Sequence, residues 1–317
     1  MTAIIALLLP YFGLILIGYI AARAAKQPTE ALGYMNVFIV YAALPALFFK
    51  LVAATPFEDL TRIDFIAADI GATYLLFAML FAAGLYLRRA TFGDSTIQAF
   101  AGAYGNIGYM GPGLALLAFG EAAAVPVALI VCLENAVHFI VAPAMMAMAG
   151  GERRRRRDVL GEVTRKVLLH PFILSTIAGF FAAGLNWQQP VAFSRLIDTL
   201  AQAAAPCALF AMGVTLALRP IRRVPVEISY LAASKLMLHP LLVYFVLTAV
   251  GGFEPVWVHA AMLLAALPSA TNVFVISQHY GLWQERASAT VLITTVLSVV
   301  TLPFWLYLIN SGFFPVP

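Results

Sequence analysis

Apolar runs of roughly twenty residues recur along this chain, separated by short polar or charged links. A bilayer core needs about 20 apolar residues per helix. The pattern predicts ten spans, at 3–22, 33–53, 64–87, 95–119, 122–148, 168–185, 196–218, 226–250, 256–279 and 287–310. Two of the runs are interrupted. Span four reads GAYGNIGYMGPGLALL, around Asn106, Gly108, Gly111 and Pro112, and span nine reads AALPSATNVFVIS, around Pro268, Ser269, Thr271 and Asn272. Each places helix breakers and a carboxamide deep inside a stretch that should cross the bilayer. Interrupted spans in corresponding places of two halves point to the binding site of a secondary transporter.

The charges sit mainly between the spans, and their sign alternates. One set of loops carries Arg23 and Lys26; Arg88 and Arg89; Arg153 to Arg157 with Arg165 and Lys166; Arg219, Arg222 and Arg223; and Arg286, which is 15 of the 19 basic residues. The opposite set carries Arg62 and Arg195 with Glu58, Asp59, Glu121 and Glu254. By the positive-inside rule the first set is cytoplasmic and both termini lie outside. The arginine run ERRRRRD is therefore read as a topogenic anchor facing anionic lipid rather than a nucleic-acid site. Residues 3–22 lack a preceding positive segment and read as an uncleaved first helix.

Composition agrees. The chain is 62% hydrophobic and 11% charged, with a mean hydropathy of +0.92, which excludes an ordinary soluble domain. The expected fold class is an all-α membrane protein of about ten transmembrane helices. The basic connector at 150–166 divides it into a first five-helix repeat at 1–149 and a second at 167–317. An odd number of spans per half inverts the second relative to the first. LLLPYF at Pro10 and LLHPFI at Pro171 lie 161 residues apart, as do Gly18 and Gly179, and Pro45 and Pro206. An internal duplication follows as the expectation. Pro45 and Pro206 are read as kinks of spans two and seven.

In lipid an unpaired backbone group costs several kcal/mol, so irregular backbone is tolerated only against protein or a water-filled cavity. Pro112 and Pro268 each remove a donor and block the carbonyl one turn back. A break starts a new half-helix whose N-terminal N–H groups and dipole attract an anion. The topology runs span four outward and span nine inward, so two such starts meet near mid-membrane. Asn106 and Asn272 are the expected central contacts, Ser269 and Thr271 the candidate hydroxyl donors, and Tyr109 is placed to line or gate the cavity. Helix capping is the competing role for both asparagines, and close helix packing for Gly108 and Gly111.

Asp69 in span three, Glu134 in span five and Lys235 in span eight are intramembrane charges, which are functional hypotheses by default. Glu134 and His138 share a helix face at i, i+4 spacing. Proton coupling by Asp69 or Glu134 stands beside an Asp69–Lys235 packing pair, and Lys235 is either a substrate counter-charge or a structural partner. His170 and His239, each before a proline, and His259 and His279 near span ends are read as interfacial or capping residues. Cys132 and Cys207 are read as buried thiols, and Trp305, Tyr307 and the FFPVP tail as interfacial anchors. No catalytic, metal or nucleotide motif is present in the sequence, so neither an enzyme nor a cofactor is expected.

The stretches PYFGLILIGYIAAR, YAALPALFF, GNIGYMGP and ALPSATNVFVISQHYG resemble, in order and spacing over nearly the whole chain, the auxin efflux carrier family, which includes plant auxin exporters and bacterial malonate-type permeases. The resemblance implies an elevator-type transporter of the bile-acid-symporter-like fold, with spans four and nine crossing as broken helices. It also implies organic-anion substrates and a homodimer. The short arginine-rich connector departs from the long cytoplasmic loop of the plant members, so loop-based regulation is not carried over. The expected function is a secondary carrier of a small organic anion, a mono- or dicarboxylate or auxin-like acid, in a bacterial inner membrane. Coupling to a proton or to sodium stays open; sodium would draw on Ser269, Thr271, Asn272 and Gln278. A channel and an intramembrane lipid-modifying enzyme are the readings from other classes.

Overall fold

The computed structural model describes residues 2–26, 28–149, 169, 171–218 and 225–317. The predicted connector at 150–166, with Arg153 to Arg157, Arg165 and Lys166, lies outside the described residues, as do His170, Arg219, Arg222 and Arg223. The described chain is helical. Its segments are α1 Thr2–Ala25, α2 Gly33–Ala53, α3 Phe57–Leu87, α4 Phe92–Ala103, α5 Ile107–Phe119, α6 Glu121–Ala149, α7 Pro171–Gly184, α8 Val191–Leu218, α9 Glu227–Val250, α10 Pro255–Ala265, α11 Thr271–Tyr280 and α12 Gln284–Asn310. Six of them (α2, α3, α6, α8, α9 and α12) are long and apolar enough to cross a membrane. α5, α7 and α10 are shorter apolar helices, and residues 9–25 of α1 form another.

Local sequence chemistry sets several ends. Thr91 accepts the Asp94 N–H at 3.1 Å and donates to the Asp94 carboxylate at 2.9 Å, a reciprocal cap that starts α4. At the end of α11, Gly281 adopts the left-handed conformation at φ 69°. The Gly281 N–H then reaches the Gln278 carbonyl and the Leu282 N–H reaches Ser277, closing the helix in a Schellman motif.

Four long helices contain one widened π turn each, at Ile39–Ala43 in α2, Ala83–Leu87 in α3, Ile130–Glu134 in α6 and Ser234–Leu238 in α9. Such a turn disturbs the regular ladder and recurs at functional sites. Here side chains pair with carbonyls inside two of them. Asn135 donates back to Val131 O at 2.5 Å, and the Trp305 indole donates to Leu236 O at 2.7 Å. Trp305 is only 2% exposed, which corrects its reading as an interfacial anchor; Tyr307 is exposed. The tail folds back, Tyr244 donating to Pro315 O at 2.6 Å.

The helices pack in two groups. α1, α2, α7 and α8 form one; α3, α4, α9, α10, α11 and α12 form the other, with α5 and α6 packed on it. At one end, Glu227 is buried between Arg88 at 2.8 Å and Arg286 at 3.1 Å, joining α3, α9 and α12. At the other end, Arg62 pairs with Asp64 at 3.1 Å and lies over the Phe253 and Trp257 rings. Arg88 and Arg286, from two of the basic loops, thus meet at one buried carboxylate.

The first group is held by backbone proximity. A Cβ on Gly18 would run into the Phe210 carbonyl of α8, and one on Gly213 into the Ile15 carbonyl of α1. Without side chains between them the two helices touch, the small-residue mode of packing in lipid. Gly18→Val and Gly213→Val are expected to cost about 1–3 kcal/mol each, as for overpacking, and to lower the thermal midpoint in detergent. Gly71→Ala, where a Cβ meets nothing within 4 Å, is the neutral control. An unshifted midpoint in both valine variants would contradict the contact.

Candidate functional site: a backbone crossover facing a cavity

The interruptions of spans four and nine meet. The Asn106 N–H donates to Pro268 O at 2.8 Å and the Ala270 N–H to Tyr104 O at 2.9 Å, forming one antiparallel bridge centred on Gly105 and Ser269. Irregular backbone in a bilayer must find internal partners; here each break supplies them to the other. Ser269 adds a hydroxyl bond to Ala101 O at 2.5 Å and takes the Thr294 hydroxyl on its own N–H at 3.1 Å. Both residues at the bridge centre and their neighbours are buried.

Four helix ends therefore converge. α5 and α11 start at the crossover, and α4 and α10 finish there. Neither start carries a side-chain cap. Asn106 occupies the capping position of α5, yet its side chain turns to the Met212 sulfur at 3.6 Å. Asn272, in the first turn of α11, donates to the Tyr104 hydroxyl at 2.8 Å, which in turn donates to Asn135 at 2.5 Å. The asparagines are not equivalent by the bridge register: Asn106 is paired with Pro268 within it, while Asn272 lies beyond it in the first turn of α11.

A cavity of about 380 Å³ opens where the two helix groups meet. Tyr109, Thr271, Asn272 and Gln278 line it from one group; Asn36, Met212 and Thr215 line it from the other. No charged side chain lines it among the described residues. The Thr271 hydroxyl has no partner. Asn106 and Gly108 face a smaller recess that shares Tyr109, Phe172 and Asn272 with the cavity. The remaining predicted residues lie elsewhere. Pro112 is inside α5 rather than at the break, and Gly111 packs against Leu264 and Val131. Pro268 and Ser269 serve the crossover backbone.

The intramembrane charges form a second, buried cluster. Asp69, Glu134, His138 and Lys235 are at most 3% exposed. The Asp69 and Glu134 carboxyl groups lie beside each other. His138 lies 3.1 Å from Glu134 and 2.9 Å from the Tyr74 hydroxyl. Lys235 does not pair with Asp69. Its ammonium reaches His239 Nδ1 at 3.0 Å and donates to the Ala265 carbonyl at the end of α10. His239 is 2% exposed and lies 3.0 Å from Thr73 through its other ring nitrogen, which corrects its interfacial reading. Thr73 and His239 sit four residues beyond Asp69 and Lys235, the helical spacing that would have found them. Cys132 is buried, Cys207 half-buried, and both are free. Among the described residues no cluster of His, Cys, Asp or Glu could hold a metal ion.

Comparisons with known proteins agree with this architecture. The family model described as "Membrane transport protein" matches residues 3–306. The "Putative malonate transporter" of Rhizobium meliloti (strain 1021) is 62% identical over 315 residues, covering 99% of this chain and 98% of that protein. An uncharacterized transporter of Escherichia coli (strain K12) is 23% identical over 95% of this chain and 96% of its own length. Auxin efflux carrier component 1 of Arabidopsis thaliana is 26% identical over 159 residues, 48% of this chain and 25% of that protein. A multi-pass helical chain matched over nearly its whole length in this way is a transporter and not an enzyme, and it belongs to the membrane transport protein family.

Proposed function

We propose that this chain is a secondary carrier for a small organic anion, a mono- or dicarboxylate, with malonate the first to test. The observation that carries the reading is the pair of uncapped helix starts at the crossover, beside a cavity without charged walls. Exposed N–H groups and the positive ends of two helix dipoles attract a carboxylate without a buried arginine. Asn272, Thr271 and Tyr109 line the cavity, and Asn106 lies in the adjoining recess. The name of the Rhizobium relative supports the choice of malonate.

In this reading α4 with α5 is one broken span and α10 with α11 another, giving ten spans in an inverted five-plus-five repeat. One pair of contacts favours the repeat. Gly18 of α1 lies against the backbone of Phe210 in α8, and Gly179 of α7 lies against Phe49 in α2. Both members of the first pair are 161 residues from their counterparts in the second. The group α1, α2, α7 and α8 is the fixed wall. The group carrying the crossover slides past it in an elevator motion that exposes the cavity to each side in turn. We place the protein in the cytoplasmic membrane as a homodimer with both termini outside, from the loop charges and the family resemblance.

In proteoliposomes, a panel of malonate, succinate, acetate and indole-3-acetate is expected to contain at least one substrate with saturable, counter-flow-competent uptake. Absence of counter-flow for every member would overturn the reading, and non-saturating flux would indicate a pore. Asn106→Ala and Asn272→Ala are each expected to weaken binding of that substrate about 10- to 100-fold, on the order of 1.5–3 kcal/mol per hydrogen bond to a charged group. The gel-filtration profile of both should stay unchanged. Wild-type affinity in both variants would remove the crossover from the site.

A further inference from the structure

Behind the crossover, four helices direct titratable side chains into one enclosed space. Asp69 and Tyr74 come from α3, Glu134 and His138 from α6, Lys235 and His239 from α9, and Tyr104 from the end of α4. Asp69, Glu134, His138, Lys235 and His239 do not line the cavity. Their bonds have a direction. With Lys235 as an ammonium, which can only donate, His239 Nδ1 accepts and the ring proton sits on Nε2, facing the Thr73 hydroxyl at 3.0 Å. The Thr73 side chain also lies beside Glu134. The chain Lys235–His239–Thr73 thus ends next to the carboxyl pair.

Two observations define what this centre holds. First, the Asp69 and Glu134 carboxyl groups lie beside each other in the buried cluster. Two carboxylates side by side and out of water do not both ionise, so the pair holds one proton at rest. With the Lys235 ammonium the cluster is then neutral. Asp69 Oδ2 has no partner although it is buried, so the pair has an open position for a second proton. Second, Lys235 sits at the C-terminal helix ends. It donates to Ala265 O, the last residue of α10, and its Nζ is 3.2 Å from where a Gly105 Cβ would be. Half-helix C-termini and unwound carbonyls are where carriers hold a coupling cation. Here an ammonium group fills that place.

We propose that this cluster is the ion-coupling centre, in which Lys235 stands in the cation position beneath the crossover and the Asp69–Glu134 pair takes up one transported proton, so that the carrier is coupled to protons and indifferent to sodium. The inference rests on the proposed anion-carrier function and names the ion that accompanies the anion. A second proton, entering at Asp69 Oδ2, gives the cluster a net charge of about +1 in a low-dielectric interior. An anion at the helix starts on the other face of the crossover then binds more tightly. By linkage, bound anion favours the proton equally. Release of either on the far side releases the other. His138, His239, Tyr74 and Tyr104 take part as hydrogen-bond partners.

The test uses purified wild-type protein and the tightest-binding member of the carboxylate panel. Affinity is measured in sodium chloride and in choline chloride at pH 6 and 8, and proton uptake is followed with pyranine in weak buffer. Affinity should agree within about twofold between the two salts and fall by up to about tenfold per pH unit where the pair titrates. About one proton should be taken up per anion bound. Asp69→Asn should abolish the uptake and flatten the pH profile, and Asp69→Glu should restore both. A sodium requirement, anion binding without proton uptake, or full uptake in Asp69→Asn would each overturn the proposal. If no panel member binds at either pH, the carrier function itself fails and the coupling centre with it.

Discussion

The rest of this structure depends on the pairing of two broken backbones. A peptide group inside hydrocarbon has no water to fall back on, and leaving it unpaired costs several kcal/mol. Tyr104 to Asn106 and Pro268 to Ala270 would each be untenable alone. Together they satisfy one another through two main-chain bonds of 2.8 and 2.9 Å. Each half of the chain therefore requires the other, and the crossover can persist only where both halves are folded around it.

Pairing the breaks also sorts charge. Two helix starts are released toward the cavity and two helix ends toward the buried cluster. The starts lack side-chain caps, while the α10 end is met by Lys235. One backbone feature thus produces an electropositive face and an electronegative face a few ångströms apart. Any ligand on the first face and any charge on the second are coupled through the same short piece of chain, with little water between them to screen the interaction.

This explains which parts of the fold were legible in the sequence. Runs of apolar residues set the helices, because lipid imposes length and composition on each segment separately. The presence of the breaks was equally visible in GNIGYMGP and ALPSATN. Their location was less so. Pro112 invites a break but sits within α5, whose interruption falls at Tyr104 to Asn106 because the partner backbone is there. That partner is about 160 residues away, so no local signal reports it. The same holds for His239 and Trp305. A histidine before a proline and a tryptophan near a span end look interfacial, yet one meets Lys235 and the other a carbonyl within a π turn. The π turns themselves leave no mark in the apolar pattern. Asn106 and Asn272 look like matched contacts in the two motifs, whereas the bridge pairs Asn106 with Pro268 and Tyr104 with Ala270.

The boundary between the two helix groups has the character that sliding requires. Within each group the contacts are close and directional, as at Gly18 with Phe210 or Glu227 with its two arginines. Across the boundary, the Asn106 amide meets the sulfur of Met212. Hydrogen bonds to sulfur are weak, and the surrounding side chains of the cavity wall are largely apolar. Displacing one group along the other would forfeit little hydrogen bonding while keeping apolar surface against apolar surface. The crossover and its charge cluster lie wholly on one side of that boundary, so the site could travel as a rigid unit and its internal bonds need not break.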